Sequence, residues 1–121
     1  MSVPLLPGDP VPGFVAPSDG NPRYSLQATG GRWVLLGVFD SAGRPGVAEA
    51  LAELAARAPG LLDGHSRAAL LISADAGDRA AARIPQLIPQ YRAIWDVNGA
   101  IGHALGDGWL LLDPTDRKSV V

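Results

Sequence analysis

Two aspartates, Asp40 and Asp75, each follow an apolar run of strand length, on the strand-end side where open α/β sheets place their ligands. A carboxylate pair there can do acid–base work or hold a divalent cation, and the same residues serve equally as turn and helix-cap groups. Ser41 and Ser73 sit beside them with the hydroxyl a nucleophile needs. Neither lies in a Gly-x-Ser-x-Gly elbow, and the spacing places no histidine to activate them. The two histidines read otherwise: His65 as a solvated side chain in a polar loop, His103 as a packed or exposed position in a short helix. Ser41-Ala42-Gly43-Arg44-Pro45-Gly46 leads into a predicted helix. Backbone amides near Gly46 and the Arg44 guanidinium can together bind an anion, or the segment is a plain strand-to-helix loop with a solvated arginine.

The 121 residues contain no cysteine, which excludes disulfides, thiolate metal sites and every thiol-based reaction. Ten basic against twelve acidic residues give a net charge of −2 with no basic stripe, so neither nucleic acid nor an anionic membrane is expected as a partner. The longest apolar runs fall far short of the roughly 20 residues that span a bilayer. The first residues, interrupted by Pro4 and Pro7, lack the pattern of a signal peptide, so a cytoplasmic location is expected.

The elements that must position these groups follow from pattern. Residues 1–12, with four prolines, read as an extended arm, and 13–121 as one domain. A hairpin is expected from Phe14-Val15-Ala16 and Arg23–Leu26, with its turn in Pro17–Pro22. Trp33–Phe39 and Ala68–Ser73 are unbroken apolar runs of strand length and fit strands covered on both faces. Between them Pro45 starts a helix to about Ala58, ended by Pro59-Gly60, with Glu49 and Arg57 suited to its dipole. A second helix is expected over 78–88, capped by Asp75 or Asp78, then a strand at Tyr91–Trp95 and a short helix at Ala100–Leu105 closed by Gly106. Trp109–Asp113 and Lys118–Val121 read as a final hairpin. Trp33, Trp95 and Trp109 each begin or end a strand, where core or rim packing explains them more simply than a recognition surface. The alternation of strand and helix predicts a three-layer α/β domain with a mixed sheet.

This succession resembles the peroxiredoxin branch of the thioredoxin superfamily. The resemblance rests on Pro7–Phe14, on Trp33–Phe39 with the Pro45 helix, on Ile94–Gly106 with its Asp-x-x-Gly turn, and on Leu110–Pro114. It implies a thioredoxin-like fold with an N-terminal β-hairpin, and it implies where the thiols of that family would fall. The Cys-x-Pro-Cys site falls on Gly43-Arg44-Pro45-Gly46, and the Thr-Pro-x-Cys site puts its cysteine on Val47. The family's later arginine falls near Asp107, of opposite charge. Gly43, Arg44, Pro45, Gly46 and Val47 therefore form a vestigial active-site loop, and the resemblance brings no peroxidase or disulfide chemistry with it.

A narrower resemblance links Gly8-Asp9-Pro10, Phe14–Pro17, Gly20–Tyr24, Gly31–Leu36 and Trp109–Pro114 to the redoxin-like N-terminal domain of some bacterial 2-oxoglutarate and iron oxygenases. No His-x-Asp occurs here, so the chain would be the accessory half, without cofactor or metal of its own. The expected function is a redox-inactive interaction module. Alternatives are an anion or small-ligand binder at the Pro45 helix, or a cysteine-free enzyme on Asp40 and Asp75. Thioredoxin-like folds end with a helix over one sheet face, and its expected absence here points to a following domain, a protein partner or a homodimer.

Overall fold

A strand whose side chains are nearly all apolar needs cover on both faces, and β3 (Trp33–Phe39), inside a six-stranded sheet, obtains it except at exposed Trp33 and half-buried Leu35. The computed structural model describes residues 14–18, 21–25, 31–63, 66–84, 91–96, 98–106 and 108–114. Around β3 the chain forms β1 (Val15–Ser18), β2 (Asn21–Ser25), α1 (Pro45–Leu61), β4 (Arg67–Ser73), α2 (Ala76–Ala80), β5 (Tyr91–Trp95), α3 (Ala100–Leu105) and β6 (Gly108–Leu112). The strand order is β2-β1-β5-β4-β3-β6. β3, β4 and β5 run parallel, while β1, β2 and β6 pair antiparallel with their neighbours, giving the expected mixed sheet.

Period-two alternation divides the core in two. Val34, Leu36, Val38, Leu70, Ile72, Ile94, Leu110 and Leu112 point to the face that receives Ile101 of α3. Phe39, Ala69, Leu71, Ala93 and Trp95 point to the other, where Leu51 and Leu54 of α1 cover them. With Leu36, Ile72 and Ile94 fully buried, truncating any one of these three to Ala should cost about 2–5 kcal/mol, measured by urea denaturation.

Several boundaries differ from expectation. The first hairpin turn is tighter than Pro17–Pro22: Ser18 pairs with Asn21, which leaves only Asp19-Gly20 between the strands. A register shift between Ala16 and Ser18 accommodates Pro17, which has no N–H to give a ladder. α1 continues through Pro59 and Gly60 to Leu61, because proline's fixed φ is helical and the one donor it removes lies close to the helix end. Glu49 and Arg57 consequently lie outside the terminal turns, where a dipole effect would have been felt. Arg57 instead pairs with Glu53, one turn back, at 2.8 Å. The 1–12 arm and the 118–121 strand lie outside the described residues.

α2 departs most, spanning five residues where eleven were expected. Its end carries both bonds of a Schellman motif, Arg83 N–H to the Asp78 carbonyl at 2.9 Å and Ala82 N–H to the Arg79 carbonyl at 3.2 Å. That motif needs a left-handed residue, and Ala82 fills it at φ 53°. Glycine is the usual occupant, so the sequence carried no stop signal here. Replacing exposed Ala82 with Gly should remove the left-handed penalty, which exceeds glycine's entropy cost. We expect a gain of about 1 kcal/mol and a melting temperature raised by about 4 °C, measured by calorimetry.

Candidate functional site

The loop between β3 and α1 is where the sequence places its candidate chemistry. Arg44 precedes the helix, and its carbonyl accepts the Ala48 N–H at 2.9 Å. Its guanidinium turns back to Asp40, Nη1 to Oδ1 at 2.9 Å, with both side chains about 60% exposed. Pro45, Gly46 and Val47 form the first turn of α1, and half-buried Val47 packs against the α1-side core. Gly43 is confined: an added Cβ would meet Ser41 Oγ at 3.3 Å and the Arg83 guanidinium at 3.6 Å.

Beneath this loop lies a polar group that sequence reading missed. Asp78, in the first turn of α2, has no exposed surface. Its Oδ2 accepts the Ala42 N–H at 2.7 Å and the Ser73 hydroxyl, and its Oδ1 accepts from Arg83 Nη1 at 3.0 Å. Ser73 Oγ in turn accepts the Asp75 N–H at 3.0 Å. Asp75 completes the cluster, accepting from the Ser41 hydroxyl at 2.7 Å, the Gly77 N–H at 2.8 Å and Arg83 at 3.4 Å. Asp75 is thus the α2 cap, one of the two roles its position allowed. The signal available beforehand was the Asp75-x-x-Asp78 spacing, which marks a helix start but says nothing about burial.

Asp40 and Asp75 are served by separate partners. The Arg44 hydrogen bond holds Asp40 below the ordinary value of 3.8. The Ser41 hydroxyl, then the Gly77 N–H, do the same for Asp75. Both are anionic at neutral pH, which suits ion pairing and not proton donation. His103 is exposed on α3, on the opposite face of the sheet, and His65 and Asp107 lie outside the described residues. Among the described residues no group of three or more His, Asp or Glu could hold a metal ion.

A cleft of about 400 Å³ opens above the loop, lined by Phe39, Arg44, Gly46, Val47 and Trp109 among others. Trp109 owes its place to Gly37, its cross-strand partner. A Cβ on Gly37 would come within 2.7 Å of the indole, so only glycine lets the ring lie flat on β3. Of the three tryptophans, Trp95 is buried with Arg79 over its ring at 5.9 Å, as core packing predicts. Trp33 and Trp109, at strand ends, take the rim alternative and remain 41% and 42% exposed.

Neither a protein-family model nor a curated protein matches this chain. Solved structures do match it in shape. A peroxiredoxin-like protein from Aquifex aeolicus superposes with a TM-score of 0.75 at 11% identity, over 98% of this chain and 76% of that one. A thioredoxin-like protein from Bacteroides caccae gives 0.73 at 16% identity, over 94% and 44%. The yeast mitochondrial 1-Cys peroxiredoxin gives 0.69 at 15% identity, over 96% and 66%. The chain thus spans less than two thirds of the length of the last two. At these identities the likeness establishes the fold, which is thioredoxin-like as the sequence suggested.

Removing the Asp78 carboxylate strands a buried amide and a buried hydroxyl and takes from Arg83 the nearer of its two acidic partners. Asp78→Ala should lower stability by about 3 kcal/mol, read as an earlier urea midpoint at unchanged slope. Asp40 and half-buried Asp75 give a pH signature. Their pKa values fall on folding, so the stability they add is complete above about pH 4 and is lost as pH falls through the depressed folded values. Asp75→Asn should therefore flatten the acid limb of a stability–pH curve followed by circular dichroism.

Proposed function

We propose that this chain is a redox-inactive thioredoxin-fold module that acts through contact with another protein or domain, in the bacterial cytoplasm and alongside a 2-oxoglutarate- and iron-dependent oxygenase. One observation carries the first half of this reading. The cleft at the start of α1 persists, walled by Trp109 and Val47, while the loop beside it holds no thiol and is tied down by Asp78. A chain without cysteine cannot form the thiolate that peroxide reduction and disulfide exchange require. An indole left 42% exposed at the rim is the kind of anchor on which protein contacts concentrate. The oxygenase association rests on the sequence resemblance in the N-terminal segment and around Trp109–Pro114.

A second reading has Arg44 and the amides near Gly46 hold an anion in the same cleft. It is favoured by the convergence of Arg44, Trp109 and the first turn of α1 on one concavity. An anion there must displace Asp40 from Arg44. Phosphate or sulfate would then raise the melting temperature of the protein but not of Arg44→Gln.

Purified protein should show no turnover of hydrogen peroxide or insulin disulfides above a no-protein control. Calorimetric titration with a bacterial 2-oxoglutarate- and iron-dependent oxygenase domain should show saturable binding, weakened at least about tenfold by Trp109→Ala. Absence of binding to that domain would overturn the association. Turnover in either assay would overturn the redox-inactive reading.

A further inference from the structure

We propose a separate binding site at the opposite end of α1, an apolar groove that takes a medium-chain carboxylate. α1 and its core cover β4 and β5 but take only Phe39, and part of Leu35, from this face of β3. Beside them Trp33, Leu35 and Leu111 line a groove of about 390 Å³ closed by Leu61 and Leu62 from the end of α1. That volume lies within the range of small-molecule sites, whose walls are mostly apolar with a few placed polar groups. Here the polar group is Arg67, at the start of β4, with its side chain 52% exposed.

Charge selects the ligand class. The nearest acid, Asp63, already accepts the Ser66 N–H and hydroxyl, each at 2.7 Å, and the Arg67 N–H at 3.0 Å. It meets the Arg67 guanidinium at 4.0 Å, beyond hydrogen-bonding distance. The guanidinium fork can therefore take a ligand carboxylate at the mouth, while an alkyl chain lies along the Trp33 indole and the leucines. Size selects against a second copy of the chain. The exposed parts of Trp33 and Leu61 present on the order of 200 Å², against about 800 Å² per partner in a stable complex. The groove lies at the far end of α1 from the Trp109 cleft, so this proposal stands or falls independently of the function proposed above.

The test is titration of the whole chain with sodium decanoate below its micellar range, read by tryptophan emission and melting temperature. Decanol and decylammonium serve as neutral and cationic controls. Saturable, stabilising binding of decanoate is expected, weaker for decylammonium. Arg67→Gln should weaken decanoate about tenfold and leave decanol nearly unchanged. Leu61→Asp, at a position 47% exposed and so compatible with folding by circular dichroism, should weaken both. No saturable change with decanoate, equal binding of decylammonium, or indifference to both substitutions would overturn the proposal. So would a dimer in light scattering that Leu61→Asp dissociates while decanoate has no effect.

Discussion

A carboxylate with no exposed surface must be surrounded by donors, because an ion left bare in the interior costs far more than the fold's net stability. Asp78 meets that demand from three separate parts of the chain: the β3–α1 loop through Ala42, the end of β4 through Ser73, and the segment after α2 through Arg83. Each partner is then constrained in turn. Arg83 can return to Asp78 only if the chain reverses within a few residues, and the reversal needs a left-handed residue at 82. That is why α2 stops after five residues at an alanine rather than running on to 88. In most Schellman motifs an apolar contact joins the residues on either side of the turn. Here the same two positions are joined by an ion pair.

The parts of this architecture that were legible in sequence are those set by local period. Unbroken apolar runs gave β3 and β4, and β4 is covered on two faces as such runs require, while β3 stays open on one face at Trp33 and part of Leu35. Pro45, Gly99 and Gly106 marked helix ends by the conformations they allow, and the two glycines sit at φ 70° and 78°. Illegible were the contacts that close over distance. Ala42 and Asp78 are 36 positions apart, and no spacing rule brings an amide to a carboxylate across such a gap. Burial of an aspartate also contradicts its average preference, so composition argued the wrong way. The exposure of Trp33 and Trp109 was hidden for a related reason. A strand-end tryptophan is covered or bare according to whether a helix crosses its face, and that is decided by where α1 lies.

Gly37 and Trp109 show how a missing side chain can shape a surface. β3 and β6 place them opposite each other, and the absent Cβ leaves room for the indole to lie on the strand. The ring becomes one wall of the cleft at the start of α1, opposite the turn where the resemblance to peroxiredoxins places a nucleophile. The wall is built by packing and needs no thiol to hold it. The concavity therefore does not depend on a thiol being present.

The two ends of α1 differ in a way that bears on what the molecule can do. At its N-terminal end the charged groups are saturated: Asp40 with Arg44, Asp75 and Asp78 with Arg83, and both serines with neighbouring carboxylates. Turnover requires groups whose interactions strengthen as the reaction proceeds, and groups already satisfied in the resting fold offer little of that. At the C-terminal end the balance is reversed. Trp33 and Leu61 stand nearly half exposed beside a guanidinium at the limit of ion-pairing distance. Apolar surface left in water gains free energy by being covered. With no cysteine in the chain, neither end of α1 can supply the thiolate that peroxide reduction and disulfide exchange require.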